Sequence, residues 1–271
     1  MIADLDWIMN TPSLMDLPEG VSDFKWLTDQ ISLSGHEFLP ADNNKRLGIY
    51  FEDLVSQILN SAPNSIDIKR NIKVFSGKIT LGEFDFIGSS PAGDFHLECA
   101  VKFYLRVGKG DQLSHFIGPG KKDRLDIKWQ RMLSHQLALS STDEGTITCA
   151  ELGHQPKHKI LLLRGYLFHP FSEFEAASAA HVETFAPDIN PEHLRGWWMR
   201  KSEAELLGTQ YHYSIMKKPY WLSPNVIENY SLDELKTRLD GVDFPVLVNR
   251  GRFEKSRWVE KDRGFIVPEG W

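Results

Sequence analysis

From residue 43 to residue 60 the apolar positions Leu47, Tyr50, Phe51, Leu54, Val55 and Ile58 recur at helical spacing, and Pro63 stands just past the run. The spacing predicts a helix. The pattern then becomes strand-like in three stretches, at about 65–75, 79–88 and 94–106. Gly77 and the run Gly88-Ser89-Ser90-Pro91-Ala92-Gly93 supply the turns between them. A loop through Gly108, Gly110, Gly118 and Gly120 leads to a second helical pattern over about 123–140. Residues 159–168 are apolar almost without interruption, as in a strand covered on both faces. The order helix, three strands, helix, buried strand predicts an α/β core over 43–170. Residues 1–42 hold short helical candidates broken by Pro12, Pro18 and Pro40. Past 170, residues 202–207 and 232–239 read as helices, and 244–249 and 265–267 as strands. They make a C-terminal α+β extension over 171–271.

The second and third strands carry the chemistry. Side chains alternate across a strand, so Glu83 and Asp85 share one face while Phe84 and Phe86 take the other. In the next strand Leu97, Cys99, Val101, Phe103 and Leu105 form an apolar face, opposed by His96, Glu98, Ala100, Lys102, Tyr104 and Arg106. A tight hairpin sets the polar faces side by side and brings Asp85, Glu98 and Lys102 together. Facing carboxylates repel, and one takes up a proton unless a cation intervenes. A hard divalent ion resolves this; Mg²⁺ takes one or two carboxylates together with water and substrate phosphate. The plainer alternative is a ladder of ion pairs on a half-solvated sheet. The helices add Glu52, one turn after Gly48 on the flank of the first apolar stripe. They also add Gln136, which falls inside the stripe of Leu125, Trp129, Met132, Leu133 and Leu139. A glutamine aimed at a core needs hydrogen-bond partners.

Charge changes the picture locally. The 271 residues carry a net charge of −6, which argues against a surface that is basic throughout. Residues 102–136, however, hold eight basic against three acidic side chains, a net +5 that leaves −11 elsewhere. Lys121, Lys122, Arg124, Lys128 and Arg131 in that stretch are candidate nucleic-acid contacts, close to a helix start whose N–H groups favour phosphate. Two cysteines, Cys99 and Cys149, are too few for a disulfide scaffold and fit a reducing compartment, the cytoplasm. No apolar run approaches the roughly 20 residues that cross a bilayer, so no membrane partner is expected. Gly118-Pro119-Gly120-Lys121-Lys122 lacks the spacing of a P-loop, and no nucleophile-elbow serine is present. Trp197, Trp198, Trp221, Trp258 and Trp271 read as core packing, with base stacking the alternative use.

Gly82-Glu83-Phe84-Asp85-Phe86-Ile87, followed by Glu98 with a lysine on its strand, resembles the PD-(D/E)XK nuclease superfamily. More closely, several stretches resemble the bacterial domain-of-unknown-function 1853 family. They are His96-Leu97-Glu98-Cys99-Ala100-Val101-Lys102-Phe103-Tyr104-Leu105, Asp123-Arg124-Leu125-Asp126 with Lys128, Gln136-Leu137, Gly165-Tyr166-Leu167-Phe168 and Gly196-Trp197-Trp198. The resemblance implies a restriction-endonuclease-like core and a Mg²⁺- or Mn²⁺-dependent phosphodiesterase acting on nucleic acid, with DNA the favoured form. It implies Asp85 and Glu98 as metal ligands and Glu52 as the acidic residue of the first helix, holding a second ion or an ordered water. Lys102 would be the catalytic lysine and Gln136 an accessory. There is one departure: the usual lysine position holds Ala100, and Lys102 lies roughly 7 Å further along the strand. The departure keeps a second expectation open, a catalytically inactive nucleic-acid-binding or protein-interaction module on the same fold.

Overall fold

The computed structural model describes residues 2–30, 46–62, 66–177, 186–224 and 226–271. The protein is of mixed α/β class; among the described residues ten strands pair in both parallel and antiparallel senses. It divides into two compact units whose segments alternate along the chain. One comprises Met1–Val101, Asp126–Arg164 and Asp188–Glu192; the other comprises Lys102–Leu125, Gly165–Pro187 and His193–Trp271. Two strands change unit midway, β4 (Gly93–Arg106) and β6 (His158–Pro170).

The first unit is built on α3 (Leu47–Asn60), β2 (Asp67–Ser76), β3 (Ile79–Ser90) and the first part of β4. Helix α3 buries the predicted stripe of Leu47, Tyr50, Phe51, Leu54, Val55 and Ile58. Its expected first turn at 43–45, Pro40 and Pro63 lie outside the described residues. Strands β2 and β3 pair antiparallel from Asp67↔Ser89 to Ser76↔Ile79, and β3 and β4 from Ser90↔Gly93 to Phe86↔Leu97. The strand order is β2-β3-β4-β6, and the short β1 (Val21–Asp23) runs parallel to β6. Along β3 burial alternates as expected: Phe84 and Phe86 are buried, Glu83 and Asp85 only partly. Two short helices, α1 (Ile2–Asn10) and α2 (Phe24–Thr28), stand where the N-terminal helical candidates were expected. Tyr50 of α3 donates its hydroxyl to buried Asp4 of α1 at 2.7 Å. Buried Arg164 pairs with both oxygens of Asp23, at 2.7 and 2.9 Å.

The expected second helix is interrupted. Helix α4 (Leu125–Arg131) is followed by a π-helical turn, Met132–Gln136, in which Leu137 N–H donates to Met132 C=O at 2.9 Å. Such single wide turns re-aim the residues beyond them. A 3₁₀ turn (Leu139–Ser141) and α5 (Asp143–Glu151), capped by the Thr142 hydroxyl, complete the segment. Leu139 and Cys149 pack with Val74, Phe84 and Ile87 of the sheet.

The second unit pairs the last residues of β4 with β5 (Phe116–Ile117) and orders its other strands β6-β7-β10-β9-β8. Here β7 is Leu194–Arg200, β8 His212–Ile215, β9 Val246–Glu254 and β10 Arg257–Val267. The expected strand at 265–267 is thus the end of a longer one. The expected helix at 202–207 is a 3₁₀ helix, Lys201–Leu207, and that at 232–239 is α7, Leu232–Leu239, with a Ser231–Glu234 capping box. Strands β7 and β8 and helix α6 (Phe171–Ala177) are additions to the expected list. Trp197 and Trp221 are buried; Trp198, Trp258 and Trp271 are half-buried. Gly165 permits close approach of two strands: a Cβ there would sit 1.7 Å from the Lys102 carbonyl oxygen.

Candidate active site

The β3–β4 ladder stops at Phe86↔Leu97, one step short of Asp85 and Glu98. From there the two carboxyl groups take over the work of the backbone pairs. Cys99 N–H donates to Asp85 Oδ2 at 2.9 Å, and Asp85 N–H reaches Glu98 Oε1 at 3.4 Å. The strands open at this point, and both amides stay satisfied by side chains. The expected convergence of Asp85 and Glu98 is therefore present, but the half-solvated ladder is not. The side chains of His96 and Glu98 are fully buried.

Glu98 is surrounded by donors. His96 Nε2 lies 2.9 Å from Oε1, and Gln136 Nε2 donates to Oε2 at 2.6 Å. Burial holds the His96 imidazole neutral, its pKa lowered to about 3, so its contact with Glu98 is a hydrogen bond and not an ion pair. With Glu98 ionised, the ring proton resides on Nε2, and Nδ1 accepts from the Ser140 hydroxyl at 2.9 Å. Gln136 is held in turn by Lys128, whose Nζ donates to Oε1 at 2.7 Å. The glutamine that sequence patterning places on a core stripe thus finds both of its partners, and the π turn ends on it.

Electrostatically the centre is short of positive charge. Asp85 is pushed up to about 7, first by burial and then by the charge of Glu98; the Cys99 amide and Lys128 oppose this. Glu98 is pushed up to about 7 by burial, against the hydrogen bonds from Asp85 and Gln136 and the charge of Lys128. Burial, and next the charge of Asp85, also raise Glu52, while a hydrogen bond from Asn71 lowers it. Asn71 stands between the register pairs Arg70↔Phe86 and Ile72↔Phe84, across from Asp85. It adopts φ +55°, a left-handed conformation uncommon outside glycine, and donates to Glu83 at 3.2 Å. Arg70 accompanies it, its Nε donating to Asn71 Oδ1 at 2.9 Å and its guanidinium paired with Asp53 of α3 at 2.9 Å. Burial and the neighbouring carboxylates push the Cys99 thiol far up, consistent with an inert group.

Lys102 belongs to the second unit, where it donates to Asp123 Oδ2 at 2.6 Å; the Tyr104 hydroxyl shares that oxygen at 3.1 Å. The lysine whose charge acts on both Asp85 and Glu98 is Lys128, which sequence reasoning assigns to nucleic-acid contact. The remaining candidate contacts divide between the units. Arg131 is exposed in the first; Lys121, Lys122 and Arg124 are exposed in the second, where Lys121 Nζ lies 5.0 Å over the Trp271 ring. Sequence reading missed Asn71 and His96 as site residues. His96 was visible two positions before Glu98 on the polar face; Asn71 carried no signal, because its role comes from cross-strand register.

The donor set can be tested against a divalent ion. Glu98 Oε2 accepts a hydrogen bond from Gln136 and Asp85 Oδ2 one from the Cys99 amide, and each oxygen keeps a second lone pair. Two hard oxygens of this kind fit Mg²⁺ or Mn²⁺, with solvent or phosphate completing the coordination shell. Among the described residues no group of three His, Cys, Asp or Glu side chains gathers around one point; Glu52 is a neighbour of the pair, close enough for the charge of Asp85 to raise it.

The fold and the site together define a mixed α/β protein with a carboxylate pair, Glu98 buried and Asp85 partly so, where two sheet strands part. The chain belongs to the family described as Domain of unknown function (DUF1853), whose model matches residues 3–267. No curated protein and no solved structure matches it. No helix among the described residues is long and apolar enough to cross a membrane.

Proposed function

We propose that the protein is a metal-dependent phosphodiesterase acting on nucleic acid, with a restriction-endonuclease-like centre built on Asp85 and Glu98. One observation carries this reading: two carboxyl groups face each other across parted strands, with Gln136 and Lys128 directed at them. A Mg²⁺ or Mn²⁺ ion held by Asp85 and Glu98 would lower the pKa of its bound water and offset phosphate charge. His96 and Gln136 fix the Glu98 carboxylate in rotation. Lys128 takes the place expected for Lys102: it anchors Gln136 and supplies the cation against which negative charge on a phosphate develops. Asn71 orients Glu52 at the margin of the centre. Lys121, Lys122, Arg124 and Arg131 would contact the phosphate backbone.

A second reading, a catalytically silent binding module, draws on one specific observation: Lys102 is engaged by Asp123, and Ala100 fills the position where the superfamily carries its lysine. A cleavage assay separates the two. Single-stranded and plasmid DNA are incubated with Mn²⁺ and either wild-type protein or D85N. Metal-dependent cutting by wild type that falls at least about 100-fold in D85N supports the phosphodiesterase. Equal cutting by both, or binding without cutting, overturns it.

A further inference from the structure

The second unit contains a cavity of about 520 Å³ at the C-terminal end of α7 and the start of β9. This volume lies within the usual range for sites that take small organic molecules. Met216, Trp221, Val242 and Phe244 contribute apolar wall. The Trp221 indole is fixed, donating to the Met216 carbonyl at 3.0 Å and meeting Phe103 edge-on at 5.3 Å. Phe244 is 60% exposed, a large apolar surface left open at the mouth.

The charges on this wall have one sign. Lys217, Lys218 and Arg238 line it, and no carboxylate does among the described residues. Glu228, which binds the Tyr230 hydroxyl, acts on Lys217 and Arg238. Lys218 differs from both. Among the described residues no carboxylate lies within ion-pair distance of its ammonium, which rests 4.5 Å over the Trp221 ring. Lys218 is exposed at this wall, and the desolvation it does undergo lowers its pKa. An ammonium held over an apolar wall, with two further cations beside it, offers an incoming anion a complementary charge.

We propose that this cavity binds a small organic anion with an apolar body, its rings or chain against Trp221 and Phe244 and its charged group taken by Lys218 with Arg238. Charge complementarity selects the anion: a neutral molecule of the same shape leaves Lys218 unpaired. The proposal is independent of the carboxylate centre, which lies in the other unit.

Fluorescence titration of the full chain tests it. The probes are 8-anilinonaphthalene-1-sulfonate and N-phenyl-1-naphthylamine, which has the same rings without the sulfonate. The sulfonate is expected to bind one per chain, at least about tenfold more tightly than the neutral probe. K218M should weaken the sulfonate at least about tenfold and change the neutral probe by less than about threefold, and K218R should restore sulfonate binding. V242W, which fills the cavity, should abolish both. Equal affinity for the two probes, or sulfonate binding unchanged in K218M or V242W, overturns the proposal. If K218M does not fold, as read by circular dichroism, the wild-type probe ratio and V242W decide.

Discussion

Burial acts against ionisation at both Asp85 and Glu98, and the charge of Glu98 adds to it at Asp85, so the folded protein holds a proton more readily than the unfolded chain. Both groups have folded pKa values of about 7, above their ordinary values of 3.8 and 4.5. The stability this confers is fully present below about pH 4 and is lost as the pH rises through about 7. His96 and His169, both lowered to about 3, run the other way: their stability is present above the ordinary histidine range and lost on acidification. The carboxyl contribution is therefore read as a difference between proteins. In metal-free buffer D85N is expected to melt about 2–4 °C above wild type at pH 8, equivalent to about 1 kcal/mol in a chain of this size, with the gap closing by pH 5. A gap that is constant with pH would contradict the assignment. The lysines give a second residue-scale prediction. K128M should cut metal-dependent cleavage at least about 100-fold and K102M by less than about threefold, measured as initial rates on single-stranded DNA. Asp85 and Glu98 were legible as candidates because the strand period gathers the polar positions on facing sides of one hairpin, and Gln136 because the helix period sets it inside an apolar stripe. The lysine was not, because Lys102 and Lys128 both suit the centre by residue type, and only tertiary placement gives one of them to Asp123.

Among the elements, those with a strong apolar period were legible: α3, β3, β4 and β6 lie where periodicity puts them, with ends shifted by a few residues. The π turn at Met132–Gln136 was not, since one inserted residue leaves the local composition helical. Helix α5 escaped notice because it buries only Gly145 and Cys149 and shows no apolar stripe. Strand β7 was hidden because Gly196 and two tryptophans give no alternation that separates a strand from a packed loop. The restriction-endonuclease-like reading of these elements rests on their order and on the opened β3–β4 ladder. Close strand approach at Gly165 gives a prediction at this scale. Gly165→Ala would place a methyl group 1.7 Å from a backbone oxygen. A loss of about 3–5 kcal/mol is expected, a fall of roughly 10 °C in Tm, against no loss for Gly48→Ala on the exposed side of α3, where nothing lies within 4 Å.

For the whole molecule, the net charge of −6 conceals a basic stretch, +5 over residues 102–136. If the cations of that stretch contact phosphates, affinity for single-stranded DNA should fall at least about tenfold between 50 and 200 mM salt, as displacement of three or more counterions requires. Salt-independent binding would place the contact elsewhere. The two units give the chain two separate chemistries, a carboxylate centre in one and a cationic, apolar cavity in the other.

The most direct test is calorimetric titration of Mn²⁺ into wild type, D85N and E98Q at pH 7.5. Saturable binding of an ion by wild type, lost in D85N and weakened at least about tenfold in E98Q, is the expected result. No saturable binding by wild type, or equal binding by all three proteins, would contradict a metal centre at Asp85 and Glu98.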